Sequence, residues 1–506
     1  MDHAHLILGS PGCGKTTRLL REVDAALHSG IKPSEIAFVS FTKKAANEAA
    51  QRACETFALQ RADLPYFRTL HSCAYRALGL AKTDVLNDYR DISEALGLSF
   101  TASPDQVTFL PSGTGHLQEI PFLEALARNR CISLEEQWHD WQEINPESFI
   151  DWNILALYQR TLHEYKQDMG LHDYTDILQG FVKQRLILPV KLLIVDEAQD
   201  LSRLQWQLIR IAARDVERIL IAGDDDQCIY QWAGADIETF LKLKGTREVL
   251  QQSHRLPKAV YDKAQDIVSR IRQRYTKKWN PRNEAGEYLE CGSVESVPIN
   301  ADETYMFLAR NHFYTNEIKA FLREAGYFYA TVGHETSVRP EYLSAIRGWE
   351  ALRKGTALLA AHVGAIYDLI KVGQGIERGS RLRLLRAPQN EPLTIKNLID
   401  DFGLTATGIW HDALTLMPVE DREYIISCLR NGEHLNRPPR IYVGTIHSVK
   451  GGEADNVVIV PDLSRLTWKG YNLNEDAENR VLYVGVTRAR RRLITLLPRT
   501  PRYYFI

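Results

Sequence analysis

Short, uninterrupted runs of aliphatic and β-branched residues recur along the chain, and each gives way to polar residues at its C-terminal end. They are His5–Leu8, Ile36–Phe41, Leu192–Val195, Ile219–Ala222, Met306–Ala309, Ile441–Val443, Val457–Val460 and Leu493–Leu497. Runs of this length without polar alternation predict strands buried on both faces, as in a parallel sheet covered by helices. Several lead directly into an unusual polar segment: Gly9–Thr16, Thr42–Lys44, Asp196–Asp200, Asp224–Gln227 and Thr445–Lys450. Ligands of parallel α/β sheets gather at the carboxyl ends of strands, so the pattern predicts where the chemistry lies.

Two long segments carry a different period. Ile150, Ile154, Leu157, Thr161 and Tyr165 follow one another at spacings of four, three, four and four, which predicts one face of a helix. Tyr342, Ile346, Trp349 and Leu352 predict another. Both stripes read as core. The simplest parse is an α/β protein with two sheet-bearing domains, each interrupted by a mostly helical insertion. The first domain takes 1–75 and 169–245 with its insertion at 76–168; the second takes 246–333 and 439–506 with its insertion at 334–438. A chain of 506 residues exceeds what one core supports, in keeping with this division.

Composition narrows the classes. Hydrophobic residues make up 44% and charged residues 25%, ordinary values for a folded protein. Basic and acidic residues number 62 and 64, a net charge of -2, which excludes a wholly basic coat for nucleic acid but not a confined basic channel. No apolar run approaches the roughly 18 residues that cross a bilayer. The residues before Gly9 lack the basic and apolar regions of a secretory leader. Seven cysteines (13, 54, 73, 131, 228, 291 and 428) show neither metal-ligand nor disulfide spacing and read as free thiols. The expectation is a cytoplasmic protein with no membrane partner.

The strongest local signal is Gly9-Ser10-Pro11-Gly12-Cys13-Gly14-Lys15-Thr16, followed by Thr17, a full phosphate-binding loop between a predicted strand and a predicted helix. Its glycines let successive amides turn toward one anion, and the helix N-terminus adds its positive end. Lys15 is expected on the β- and γ-phosphates and the Thr16 hydroxyl on Mg²⁺. The run Leu192–Val195 then delivers Asp196-Glu197. Asp196 suits the second protein ligand of the magnesium ion, and Glu197 is placed to take a proton from attacking water.

Further segments decide among nucleoside triphosphatases. In chain order they are Phe41-Thr42-Lys43-Lys44, Thr69-Leu70-His71-Ser72, Leu171–Asp176, Val195–Asp200 (VDEAQD), Ile221–Ala235 (IAGDDDQCIYQWAGA), Leu250–Arg255, Thr445–Glu453 (TIHSVKGGE) and Glu478–Arg490 (ENRVLYVGVTRAR). Together they resemble the UvrD/Rep/PcrA branch of the superfamily 1 helicases. The resemblance implies two RecA-like P-loop domains with ATP in the cleft between them. It implies Gln227 sensing the γ-phosphate from the first domain, Arg255 and Arg488 reaching it from the second, and Glu453 on the ribose. Phe41, Thr42, Lys43, His71, Tyr230, Trp232, His447 and Lys450 become the candidates for nucleic-acid contact. Aromatic rings stack on any base, and lysines meet phosphates. The implied activity is ATP-dependent translocation on single-stranded DNA and unwinding at single-strand/duplex junctions, 3′ to 5′, by a monomer.

Three departures from the family pattern qualify this. Eight residues precede Gly9, which leaves no room in this sequence for the usual adenine-reading segment. His254 stands where a stacking tyrosine is usual, and Ala233 where an arginine is usual. The expectation is looser base discrimination. Two rival readings are a translocase that displaces bound proteins without unwinding, and an ATP-gated clamp without turnover; RNA is the alternative track.

Overall fold

The computed structural model describes residues 4–41, 43–98, 119–145, 150–331 and 335–506. Every predicted apolar run forms a strand, with ends shifted by a residue or a few. Contacts divide the chain into two units: Met1–Glu287 with Leu463–Arg491 and Ile506, and Tyr288–Asp462 with Arg492–Phe505.

The first unit holds a six-stranded sheet of β1 (His5–Gly9), β2 (Ile36–Ser40), β3 (Tyr66–Thr69), β4 (Leu192–Asp196), β5 (Arg218–Gly223) and β6 (Thr246–Leu250), in the order β3-β2-β4-β5-β1-β6. All its pairings are parallel. Successive side chains enter opposite layers, as the pleat demands. Ile7, Phe38, Ile194 and Leu220 pack with Leu19, Val23 and Ala26 of the helix Lys15–His28. Leu8, Val39, Val195 and Ile221 pack with Ile177, Phe181 and Leu208 on the other side. Both faces are dry, which is why these strands read as unbroken apolar runs.

The boundary expected before residue 246 is not where contacts divide the chain. β6 pairs with β1 from His5↔Thr246 to Gly9↔Leu250 and closes the first sheet. It is an edge strand with charged positions, where Glu248 meets His5 and Arg18 at 3.0 Å, so no apolar run marks it. The helices Lys258–Val268 and Glu475–Val486 also belong to the first unit.

The helical segment after residue 76 has its own core around Leu123, Leu155, Tyr158 and Leu162. Here the expected stripe is corrected. The helix Trp152–Met169 buries Leu155, Tyr158, Leu162 and Lys166, while Leu157 is exposed and Ile150 precedes the helix. Lys166 completes the buried face by pairing with Asp173 at 2.7 Å and Asp176 at 2.6 Å. Arg128 joins both acids, so charge, invisible to an apolar count, anchors this segment to the first sheet's helices.

The second sheet, most of it in the second unit, is built from β7 (Glu287–Cys291), β8 (Tyr305–Ala309), β9 (Tyr329–Thr331), β12 (Ile441–Thr445), β13 (Ala454–Val460) and β14 (Ala489–Leu496). Its order is β7-β14-β13-β8-β12-β9. β8 is parallel to β12 and β13, and β12 to β9. The intervening helices build a separate core that contains Tyr342, Ile346, Trp349 and Leu352, the predicted stripe, beside the ribbon β10 (Leu358–Leu359) and β11 (Pro392–Leu393). The expected boundary at 333/334 lies outside the described residues. Among the described residues no helix is long and apolar enough to cross a membrane.

Candidate active site

The carboxyl ends of β1, β4 and β5 lie side by side and carry the chemistry. After β1 the chain turns through Gly12 (φ +73°) and Gly14 (φ +77°), left-handed conformations that glycine adopts without strain. Gly14 caps the helix Lys15–His28, whose first turn contains no acidic residue. Within the loop the Cys13 thiol donates to the Ser10 carbonyl at 2.8 Å, and the Lys15 ammonium donates to the Gly9 carbonyl at 2.7 Å. Burial works against the Lys15 charge. Cys13, Glu197, Asp224 and Asp196 more than offset it, so its pKa is held above the ordinary lysine value. Thr16 is half-buried at the start of the helix and Thr17 is exposed.

The segment after β6 clamps this loop. The buried Ser253 hydroxyl donates to the Pro11 carbonyl at 2.8 Å and accepts from the Arg255 and Leu256 amides at 3.3 and 3.2 Å. The His254 amide donates to the Gly12 carbonyl at 2.9 Å. Sequence reasoning found His254 and Arg255 but missed Ser253, whose only signal is its place beside them. A Cβ on Gly12 would stand 2.4 Å from the Arg255 Cβ. Gly12→Ala is therefore expected to weaken nucleotide binding at least tenfold, since left-handed strain of about 1–2 kcal/mol adds to the clash. Fluorescent nucleotide titration checks this; an unchanged Kd would mean that the loop opens away from Arg255 without cost.

At the end of β4, Asp196 accepts from the Glu197 amide at 2.9 Å. Burial, then the Glu197 charge, pushes the Asp196 carboxyl up to about 7 against the pull of Lys15. A buried acid so disfavoured as an anion fits a divalent cation, which Asp196 and the Thr16 hydroxyl would hold. Glu197 itself is left-handed, with φ +53°. Gln199 links the acid to the next strand: its amide nitrogen donates to Glu197 at 2.6 Å and its oxygen accepts from the Asp224 amide at 3.0 Å. Gln199 was also missed as a functional residue, although it lies within the VDEAQD segment.

β5 leads into Asp224–Gln227, all buried. Gln227 donates to Asp224 at 2.7 Å and accepts from the Arg488 guanidinium at 2.9 Å. Arg488 also donates to the Val484 carbonyl at 2.9 Å and is 2% exposed. Contacts group Arg255 and Arg488 with Lys15, Thr16, Asp196, Glu197 and Gln227, and Arg488 directly precedes β14 of the second sheet. The helix Glu475–Val486, buried from Glu478 to Val486, packs against Lys258–Val268 and the Asp225–Gln227 turn, which carries Arg488 there. Asp224, Asp225 and Asp226 have the closeness of a metal site, but the Lys277 ammonium sits among them.

The expected nucleic-acid contacts divide. Phe41 and Tyr230 stack with centroids 5.4 Å apart, and Trp232, 39% exposed, leans on Phe122 at 6.1 Å. His71 is edge-on to Tyr174, and burial followed by the Lys43 charge lowers its pKa to about 4, so the ring is neutral near pH 7. Lys43 is exposed. Thr42 and the Lys44 side chain lie outside the described residues. His447, Lys450 and Glu453 belong to the second unit, in the segment between β12 and β13.

Comparison with known proteins bears on this geometry. Residues 1–248 match the family model of the UvrD/REP helicase N-terminal domain, and residues 440–496 match that of the UvrD-like helicase C-terminal domain. The chain belongs to the UvrD/Rep helicase family. Its two parallel-sheet α/β regions are the RecA-like domains expected of that family. The first match takes in Lys15, Asp196, Glu197 and Gln227, and the second Glu453 and Arg488; His254 and Arg255 lie between them. The chain is 27% identical to DNA helicase II of Haemophilus influenzae over 64% of this chain and 45% of that protein. It is 24% identical to the ATP-dependent DNA helicase Rep of Buchnera aphidicola over 58% of this chain and 44% of the relative. A 22% identity to the ATP-dependent DNA helicase PcrA of Staphylococcus epidermidis covers 56% and 40%. The matched segment thus spans less than half the length of these UvrD/Rep relatives.

Proposed function

We propose that the chain hydrolyses ATP at the loop Gly9–Thr16 and uses the cycle to move along single-stranded DNA, 3′ to 5′, separating duplex at single-strand/duplex junctions. The observation that carries the hydrolytic part is the Gln227–Arg488 hydrogen bond, because it joins a phosphate-sensing amide to an arginine within the unit that holds Lys15 and Glu197. Glu197 takes the proton of the attacking water as its oxygen bonds to the γ-phosphorus and the bond to the bridging oxygen breaks. Lys15, Gln227 and Arg488 bear the charge that spreads over the phosphoryl oxygens. Thr16 and Asp196 would hold Mg²⁺, which would supply further charge neutralisation there.

The similarity to DNA helicases supports DNA as the track, and the exposed Trp232 and the Phe41–Tyr230 pair offer ring faces for stacking. Trp232→Ala is expected to weaken single-strand binding by about 1–3 kcal/mol, the worth of one stacked base. Anisotropy of a labelled oligo-dT measures it, and an unaltered affinity would remove Trp232 from the track. Strand displacement from duplexes with 3′ or 5′ single-stranded tails tests the motor. Unwinding from the 3′ tail alone is expected, and unwinding from neither tail would leave translocation without strand separation.

A further inference from the structure

The side chain of Lys277 is fully buried, and its ammonium lies 2.8 Å from Asp224 and 2.9 Å from Asp226 and is paired with Asp225. The neighbours of Lys277 hold the remaining oxygens. Arg274 takes both oxygens of Asp226 at 2.7 and 2.6 Å, and the Tyr275 amide donates to Asp225 at 2.7 Å. Arg480 donates to the Asp225 carbonyl at 3.0 Å. The turn that presents Gln227 is therefore fixed by charge from a segment about fifty residues further along the chain.

An ionised carboxylate accepts hydrogen bonds and cannot donate, whereas a carboxamide has one end of each kind. Asp224 accordingly takes the Gln227 NH₂ at 2.7 Å and leaves the Gln227 oxygen to accept from Arg488 at 2.9 Å. Were Asp224 uncompensated and neutral, its bond to the Gln227 NH₂ would lose its charge assistance and hold the carboxamide less firmly. Burial opposes the Asp224 charge, but Lys277 first and Lys15 next hold its pKa below the ordinary value.

We propose that Lys277 is a positioning residue for triphosphate hydrolysis: by holding Asp224 it fixes the Gln227 carboxamide, and through it Arg488, toward the terminal phosphate. This rests on the hydrolytic reading above. An ion pair that served stability alone would be replaceable by apolar packing without effect on turnover. A positioning residue changes kcat while leaving ground-state binding in place.

The test compares the full chain with Lys277→Met, Asp224→Asn and the double variant, reading ATP turnover, fluorescent-nucleotide Kd and Tm. Each single change is expected to lower kcat roughly 30–100-fold, the scale of a misplaced reacting group, with Kd within about threefold. The double variant should be no slower than the worse single one, because both break the same line. Asp224→Asn keeps Lys277 paired with Asp225 and Asp226, so it reads the proposal even if Lys277→Met does not fold. Unchanged kcat in Asp224→Asn, or losses that multiply in the double variant, overturns the role of Lys277 and leaves hydrolysis standing. No hydrolysis by the unaltered chain removes the hydrolytic reading and this one with it.

Discussion

Replacing Glu197 by glutamine is expected to leave nucleotide binding intact and to lower kcat roughly 10²–10⁴-fold, the range contributed by a positioned general base. The substitution is nearly isosteric, and its retained oxygen still accepts from the Gln199 amide that now donates to Glu197 at 2.6 Å. The left-handed backbone at φ +53° is equally available to either residue. Loss of turnover therefore reports loss of the base. Steady-state ATPase assays with a parallel binding titration make the measurement. Full turnover in Glu197→Gln would move the base elsewhere, with the neighbouring Asp196 the first alternative.

Arg488→Ala carries the second large effect. The guanidinium is buried, donates to Gln227 at 2.9 Å, and is permanently charged. Its removal is expected to cost roughly 10³–10⁵ in kcat, the worth of an arginine that meets the charge of a transferring phosphoryl group. Arg488→Lys preserves the charge and most of the volume but loses the planar fork, so it should recover only part of the rate. Tm values for both variants separate this from a packing defect. Turnover of Arg488→Ala within about threefold of the parent would show that the arginine braces the helix Glu475–Val486 and takes no part in the reaction.

The site's central loop was legible because its chemistry is local. Eight consecutive residues between a strand and a helix specify a phosphate cradle, and Asp196-Glu197 follows its strand directly. The pairing of Gln227 with Arg488 spans 261 positions and could be anticipated only through the resemblance. Even then no sequence signal says that the helix Glu475–Val486 packs on Lys258–Val268 and the Asp225–Gln227 turn. β6 was hidden for another reason: Thr-Arg-Glu-Val-Leu is an edge strand whose charges pair sideways, so it lacks an apolar run. β3, reading Tyr-Phe-Arg-Thr, was missed in the same way.

Buried charge defeated the pattern most thoroughly. Lys166, Lys277, Arg480 and Arg488 are all under 9% exposed, yet each reads in sequence as a solvated residue. Lys166 extends the buried face of Trp152–Met169 set by Leu155, Tyr158 and Leu162, and Lys277 with Arg274 fixes the Gln227 turn.

The most direct measurement is ATP hydrolysis by the unaltered chain with single-stranded DNA, with single-stranded RNA and with no polymer. Mg²⁺-dependent turnover is expected, stimulated at least about tenfold by single-stranded DNA and lowered roughly 10²–10⁴-fold by Glu197→Gln. Turnover that is equal with and without polymer would contradict a motor that burns ATP to move along a strand.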